Sequence, residues 1–206
     1  MSRRSSEDGV SLRTVKKVPE DLAANLYRSG DVLLAQGDHI RMEQVAEDLG
    51  VARATLYYYF SGKDDLITFL MQEKMERIAT EVQKARLGDG TALERFEAAM
   101  RAAVYELASN PALCLNMIRA TGRMEAMAEI LASSERAIMA PLRELLIEAR
   151  AVGDVDVADI DLTIAAQMGG ANMAVLSRWA LTGEVDPDDM SQSAVTLFLN
   201  GVRARR

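Results

Sequence analysis

Two reactive residue types are almost missing from this 206-residue chain, which has one cysteine, Cys114, and one histidine, His39. A single cysteine excludes a disulfide framework within the chain and suits a reducing compartment. No cluster of His and Cys ligands can be assembled, so we expect neither a metal site nor a cofactor, and we interpret His39 as a turn residue.

The sequence also lacks the patterns of several enzyme classes. It has no Gly-rich phosphate loop, no second histidine for a Ser/His/Asp or Cys/His arrangement, and no Glu-x-x-His pair of the kind that helical di-iron enzymes use. The adjacent carboxylates Asp64 and Asp65 are typical of a solvated helix start. We therefore predict no catalytic residues and no enzyme; the alternative is an acid/base pair that folding brings together.

Long hydrophobic runs are absent as well. No apolar run approaches the roughly 18 residues that a membrane span needs, and the start MSRRSSEDG has no apolar signal region. We expect a cytoplasmic protein without a membrane partner. At 49% hydrophobic residues, the chain can bury a substantial core, which fits one small module and a larger helical region.

The segment MEQVAEDLGVARATLYYYFSGK, residues 42–63, predicts two helices joined by a tight turn. Apolar residues at three- and four-residue spacing define the first helix, and Gly50 supplies the turn. The second helix is predicted over residues 52–60, with Leu56 and Phe60 on its packed side. This arrangement is a helix-turn-helix.

Acidic residues are missing from the second helix and its flanks, since none lies between Val51 and Lys63. A surface that meets only water normally carries Glu or Asp, whereas one that enters the major groove must avoid repelling phosphate. We therefore predict double-stranded DNA as the partner; the alternative is an ordinary helix pair with a few surface tyrosines. The predicted DNA-binding residues are Arg41, Arg53, Ala54, Thr55, Tyr57, Tyr58 and Lys63.

The string VARATLYYYFSGKDDL resembles the recognition-helix signature of the TetR family of transcriptional regulators. The resemblance covers residues 22–80 and is carried, in order, by Val51, Thr55, Leu56, Tyr57, Tyr59, Phe60, Lys63, Asp65 and Leu66. It implies an all-α fold, in which a three-helix helix-turn-helix DNA-binding domain precedes a larger helical domain for ligand binding and dimerisation. We place these domains at residues 19–65 and 66–206, after a flexible basic tail at residues 1–18.

The net charge of -7 is no obstacle to a DNA partner, because the basic groups are local. Five of them lie in the predicted tail, which either follows the DNA backbone or minor groove or serves only to keep the chain soluble. Binding to DNA should weaken steeply with salt. The five are Arg3, Arg4, Arg13, Lys16 and Lys17.

Arg41 departs from the family pattern, which usually has Ser or Thr at this position to cap the following helix. The arginine side chain cannot accept the hydrogen bond that an N-cap residue accepts. Arg41 is therefore either a clamp on the DNA backbone or a tolerated surface cation.

Two helices flank the helix-turn-helix. Pro19 opens a first helix that we expect to run to Gly37. After the motif, a long amphipathic helix starts at Asp64 and ends at LGDG, residues 87–90. The resemblance implies that this long helix carries ligand-induced movement to the DNA-binding domain.

The rest of the chain is predicted to be helical throughout. Asn110 and Pro111 cap and start a short helix. A further helix is expected over residues 124–150. Pro141 predicts either a kink near Ile138 or a split of this helix in two, because proline removes a backbone donor.

The last two helices, predicted at residues 159–181 and 188–202, carry the pattern for dimerisation. Small residues every four positions let another helix approach closely, and the resemblance implies a four-helix interface between two subunits. The alternative is that both apolar stripes pack inside one subunit. The predicted interface residues are Ala166, Gly170, Ala174, Ala194, Leu197, Phe198 and Gly201.

Polar residues inside otherwise apolar helices indicate a pocket for a small apolar or amphipathic ligand. Methionines such as Met100, Met117, Met168 and Met173 would form adaptable walls. Each polar candidate has an alternative place in the core or the dimer seam. The predicted ligand-binding residues are Tyr105, Asn116, Arg119, Gln167, Asn172 and Trp179.

These expectations combine into a homodimeric transcriptional regulator, a repressor that binds a palindromic operator and leaves it when a ligand enters the helical domain. One alternative has the same fold but no small-molecule inducer. A second is a helical enzyme or adaptor with a vestigial helix-turn-helix.

Overall fold

The computed structural model describes residues 17–120 and 131–202, and within these ranges the chain is almost entirely helical, as predicted. The predicted tail lies outside the described residues except for its last two positions, and so do residues 124–130 of the predicted kinked helix. The helices are α1 (Glu20–Arg28), α2 (Gly30–Gln36), α3 (Met42–Asp48), α4 (Arg53–Tyr59), α5 (Lys63–Arg86), α6 (Ala92–Ser109), α7 (Pro111–Ala120), α8 (Ala140–Ala151), α9 (Ile160–Thr182) and α10 (Pro187–Val202).

The predicted first helix is broken into α1 and α2, so the expectation of one continuous helix was wrong. The break lies at Ser29, whose φ and ψ of -93° and 1° leave the helical region. A Ser–Gly pair is a weak point in a helix, because both residues lower helix propensity. The break also brings the backbone of Gly30 against α5, where an added Cβ would lie 3.6 Å from Leu70 Cδ2.

The helix-turn-helix consists of α3 and α4 and confirms the prediction to within a residue or two. Gly50 makes the turn with φ +67°, a left-handed conformation that glycine adopts without strain. Leu56 and Phe60 are buried, whereas the outward side of α4 is exposed. The turn thereby fixes which side of α4 faces solvent.

Helix α5 is shared by the two parts of the chain. Near its start, Phe69 stacks on Tyr27 of α1 with ring centroids 5.1 Å apart and contacts Phe60 at 5.2 Å. Further along, Ile78 and Val82 are buried where α5 packs against α6. A single rigid element therefore links the core of the helix-turn-helix unit to the C-terminal helices.

The C-terminal helices follow the predicted order. A capping box starts α6: Thr91 and Glu94 each accept a hydrogen bond from the other's backbone N–H group. It was not predicted from the sequence. The helical turns before Pro141 widen into a π-turn at Glu135–Met139, which confirms an irregularity near Ile138. Among the helices of the described residues, none is long and apolar enough to cross a membrane.

Candidate nucleic-acid interface

The outward side of α4 gathers five of the predicted DNA-binding residues on one exposed surface. Tyr58 is the most prominent aromatic there, with 59% of its surface exposed, and its ring meets that of Tyr59 edge-on at 5.0 Å. No residue from Arg53 to Tyr59 carries a negative charge. The exposed set is Arg53, Ala54, Thr55, Tyr57 and Tyr58.

A hydrogen bond joins the two helices of the motif: the Tyr57 hydroxyl donates to Glu43 Oε1 at 3.1 Å. It raises the pKa of Tyr57. The pKa of the Glu43 carboxyl is lowered, first by a hydrogen bond from its own backbone N–H, then by Tyr57, and further by the charges of Arg53 and Arg41. Glu43 is not among the predicted site residues, because 14 positions separate it from Tyr57 and only the fold brings the two together.

Two predicted DNA-binding cations at the ends of the motif, Arg41 and Lys63, differ in their surroundings. Arg41 is the N-cap residue of α3 and makes no side-chain capping bond, as expected for a cation at that position. Lys63 instead donates from Nζ to the backbone oxygen of Asp38 at 2.9 Å and pairs with its carboxylate at 3.2 Å. Lys63 therefore ties α5 to the turn before α3, and any phosphate contact would compete with this pair.

Helix α2, which precedes the helix-turn-helix, is held by side chains of α5 and α7. At the start of α2, Asp31 pairs with Lys74 of α5 at 2.7 Å, and Lys74 is only 5% exposed. At the end of α2, Asn116 of α7 donates from Nδ2 to the backbone oxygen of Leu34 at 2.8 Å. These contacts join α2 to the helices that follow the helix-turn-helix.

Several predicted ligand-binding residues make contacts within the protein. The Asn116 amide also donates to Ala112 O at 2.8 Å, so both of its hydrogens bond backbone oxygens, which favours a structural role. Gln167 donates to Ala194 O at 3.0 Å and joins α9 to α10. Asn172 approaches Met117 Sδ at 3.5 Å. The fold thus places one predicted polar ligand contact, Asn172, directly against one of the predicted pocket methionines, Met117.

The other three ligand candidates lie in different surroundings. Tyr105 is 40% exposed on α6, and Trp179 is half-buried in the last turns of α9. Arg119 is exposed, and its guanidinium lies against the turn at Gly37, where an added Cβ would collide with Nη1. Arg119 is therefore positioned beside the helix-turn-helix unit.

The predicted dimer face is exposed over most of its length. Ala166, Gly170, Ala174 and Gly201 are exposed, Leu197 is 74% exposed and Ala194 is half-buried. Exposed apolar side chains extend the same region of α9 at Leu162, Met173 and Leu181. Among the described residues, none lies within 4 Å of a Cβ added at Gly169, Gly170 or Gly201.

Phe198 requires a correction. It is predicted at the dimer face, but its side chain is buried in the subunit's own core, with its ring centroid 5.2 Å from that of Phe96 in α6. The apolar stripe of α10 is wide enough to serve two neighbours. Its inner part, with Val195 and Phe198, packs on α6, and its outer part leaves Leu197 exposed.

Comparisons with known proteins agree with this arrangement. One family model, described as "Bacterial regulatory proteins, tetR family", matches residues 35–68, and a second, "Tetracyclin repressor-like, C-terminal domain", matches residues 89–202. No curated protein matches the chain.

Solved structures share the fold at low sequence identity. The fatty acid degradation regulator FadR from Bacillus halodurans is 21% identical with a TM-score of 0.74, over 92% of this chain and 100% of that one. A tetR-family regulatory protein from Rhodococcus RHA1 is 18% identical with a TM-score of 0.71, over 91% and 100%. The ketosteroid regulator KstR2 of Mycobacterium tuberculosis is 14% identical with a TM-score of 0.69, over 93% and 100%.

The two family models occupy consecutive parts of the chain, the first on the helix-turn-helix and the second on helices α6 to α10. The second model alone spans more than half of the 206 residues. The chain therefore belongs to the TetR family of DNA-binding transcriptional regulators.

Proposed function

We propose that this regulator is a homodimeric repressor that reads a palindromic operator through α4 and leaves it when a small apolar or amphipathic molecule binds the C-terminal helices. The observation that carries the DNA-binding part is the exposed side of α4, which has a cation, hydroxyls and a small central residue but no carboxylate. Ala54 leaves room for close approach to base edges, and Thr55 and Tyr58 offer hydroxyl groups on the same side.

The exposed apolar face of α9 and α10 supports the homodimer. Leu197 and Leu181 are 74% and 85% exposed, and a cluster of large apolar side chains left this exposed is typical of a surface that another protein covers. Small residues at positions 166, 170 and 174 would let a partner helix pack closely. Two subunits related by a two-fold axis would present one α4 to each half of a palindrome.

Two observations support an apolar or amphipathic ligand: the names of solved structures with a similar fold, and the contacts between α7 and α9. FadR is named a fatty acid degradation regulator and KstR2 a ketosteroid regulator, both of which concern apolar or amphipathic molecules. In this chain, Asn172 faces Met117 in a half-buried region between α7 and α9, where a single amide beside a polarizable thioether suits such a molecule. Release from DNA requires that the ligand bind the non-binding conformation more tightly.

Substitutions in α4 test the DNA-reading surface. Thr55→Ala and Tyr58→Ala should each weaken binding to DNA from upstream of the protein's own gene by about tenfold, the effect of one lost base or phosphate contact, and leave the dimer intact. Thr80→Ala is a control, because Thr80 is an exposed residue of α5 that belongs to none of the predicted sites. Unchanged affinity for both α4 variants would refute the assignment of α4 to the groove.

A ligand screen tests the second half of the proposal. Thermal unfolding is measured with fatty acids, acyl thioesters, steroids and aromatic metabolites, since a ligand of the native state raises the midpoint by mass action. A saturable shift that also releases the protein from DNA supports the ligand-controlled repressor. DNA binding without any shift across the panel favours a regulator of the same fold that is controlled by a partner or by its own abundance.

A further inference from the structure

Glu43 stands out because it is an acidic residue within the predicted DNA surface. It lies in the first turn of α3, is exposed, and accepts the hydroxyl of Tyr57 from α4 at 3.1 Å. Arg53 and Arg41 lie close enough for their charges to lower the pKa of its carboxyl. One carboxylate therefore accepts a hydrogen bond from one predicted DNA-binding residue, Tyr57, and interacts electrostatically with two others, Arg53 and Arg41.

The three residues around Glu43 are those that a phosphate group of DNA would use. Two guanidinium groups and a phenol are the usual donors to phosphate oxygens. A carboxylate has the same charge sign as a phosphate and accepts the same hydrogen bonds. In the free protein, Glu43 thus accepts a hydrogen bond from Tyr57 that a phosphate could accept instead, and its negative charge acts on a phosphate that approaches Tyr57, Arg53 or Arg41.

We propose that Glu43 is a specificity-determining residue: its carboxylate competes with phosphate for Arg41, Arg53 and Tyr57 and thereby weakens binding to non-operator DNA more than binding to the operator. The inference rests on the proposed reading of DNA through α4.

Glu43 should weaken binding to operator and non-operator DNA to different extents, because the protein sits differently on each. The position of the protein along the duplex, its register, decides where the phosphates lie relative to Glu43. Non-specific binding comes almost entirely from phosphate contacts, and the protein samples many registers along the duplex. Many of these registers place a phosphate against the Glu43 carboxylate and are disfavoured. Base contacts to the operator select one register. In that register the phosphates either lie away from the Glu43 carboxylate or accept the Tyr57 hydrogen bond in its place. The penalty is therefore larger on non-operator DNA.

The test compares Glu43→Gln with Glu47→Gln in the full-length dimer. Gln at position 43 removes the charge but keeps an oxygen that can accept from Tyr57, so the surface geometry is preserved. Glu47→Gln is the matched control, because Glu47 is also exposed on α3 and its change alters the net charge equally. Affinity is measured by fluorescence anisotropy for a scrambled duplex and for an operator selected from a random pool by the wild-type protein.

Glu43→Gln should bind the scrambled duplex about fourfold more tightly per subunit at low salt, since unit charges ~5 Å apart in water interact with an energy of that size. The operator should gain less, so that the ratio of operator to scrambled affinity falls. Glu47→Gln should change the scrambled affinity less than about twofold, and high salt should remove both gains. Tyr57→Phe keeps the charge of Glu43 and should not reproduce the gain.

Three results would overturn the proposal: equal effects of the two glutamine variants on the scrambled duplex, an equal gain on both duplexes, or weaker operator binding by Glu43→Gln with no change on the scrambled duplex. The last result would instead make Glu43 a base contact or a positioning residue for Tyr57. If the wild-type protein selects no sequence at all, it is the proposed function that fails. The two failures are therefore distinguishable.

Discussion

The side-chain amide of Asn116 in α7 caps the end of α2: it donates to the backbone oxygen of Leu34 at 2.8 Å across 82 positions of sequence. The last four carbonyls of an α-helix have no partner in their own helix and must be satisfied from outside. Here the partner comes from the C-terminal domain. The second hydrogen of the same nitrogen bonds Ala112 O in α7, so the amide is held on both sides.

Removing this cap should lower the stability of the subunit and weaken the attachment of α2, which precedes the helix-turn-helix, to α7. Asn116→Ala leaves the buried Leu34 carbonyl without its side-chain partner, and we expect a loss of about 1–3 kcal/mol in the free energy of unfolding. The measurement is chemical denaturation, with DNA affinity measured in parallel. Asn172→Ala is the control, because its amide donates to the weak acceptor Met117 Sδ at 3.5 Å rather than to a backbone oxygen. Equal losses for the two variants would contradict the capping role.

The turn after α2 gives a second, independent prediction. Gly37 has φ +52°, and a Cβ there would also collide with the guanidinium of Arg119. Its ψ of -117° places Gly37 outside the left-handed helical region, in a sparsely populated conformation, so Gly37→Ala should cost about 1–3 kcal/mol from backbone strain alone, plus the displacement of Arg119. Gly50→Ala is the control, because Gly50 also has a positive φ, +67°, and an added Cβ there would have no neighbour within 4 Å in the described part of the chain.

Combining these changes with Arg119→Ala separates strain from collision. Denaturation of the double variants should show that Arg119→Ala restores part of the stability lost in Gly37→Ala and none of that lost in Gly50→Ala. If Arg119→Ala has the same effect on both glycine variants, the two residues are not in contact in solution. Such cycles isolate the pairwise energy when each single change makes no new contact.

Local patterns in the sequence predicted much of the fold, because the helix-turn-helix depends on short-range signals. Gly50 supplies a left-handed turn, and Leu56 and Phe60 recur at helical spacing, so their burial follows from periodicity. The break at Ser29 did not follow, since a Ser–Gly pair weakens a helix without specifying that it ends there.

Long-range contacts could not be predicted from one sequence. The pair of Asn116 with Leu34 depends on how α7 docks on α2, and the polarity of Asn116 alone suggested a ligand contact. Phe198 illustrates the same limit, because a wide apolar stripe identifies a helix but not which neighbour covers each part of it. The predicted ligand and DNA contacts remain predictions for the same reason.

The small residues of α9 predict a dimer that a single bulky side chain would disrupt. A Cβ added at Gly170 would meet no described residue of its own subunit within 4 Å, so we expect the Gly170→Leu subunit to fold normally and gain helix propensity. At a close-packed interface the added side chain would force the helices apart, and the dimer dissociation constant should rise by about tenfold or more. Sedimentation velocity measures this change.

The control for Gly170→Leu adds a leucine elsewhere. Ala151→Leu places an exposed leucine at the end of α8, outside the α9 and α10 face. It should leave the dimer unchanged, which separates steric disruption from a general effect of added hydrophobic surface. A dimer of unaltered stability in Gly170→Leu would exclude this part of α9 from the interface.

The single cysteine predicts a loss of stability at high pH. Cys114 is fully buried in α7, and burial raises the pKa of its thiol from 9.0 to about 12. In the unfolded chain the thiol ionises first, so between pH 9 and 12 the unfolded state binds fewer protons than the folded state. Stability should therefore fall as pH rises through this window, by up to about 1.4 kcal/mol per pH unit from this group.

Cys114→Ala isolates the contribution of the thiol, because alanine does not ionise while the tyrosines and lysines still titrate in both proteins. The free energy of unfolding of the wild-type protein should fall more steeply with pH above 9 than that of the variant, even though the variant starts lower from the small cavity it creates. Parallel curves would mean that the thiol is not held neutral by burial. Below pH 9 the folded protein should also resist thiol reagents that react with the unfolded chain, since the thiolate is the reactive form.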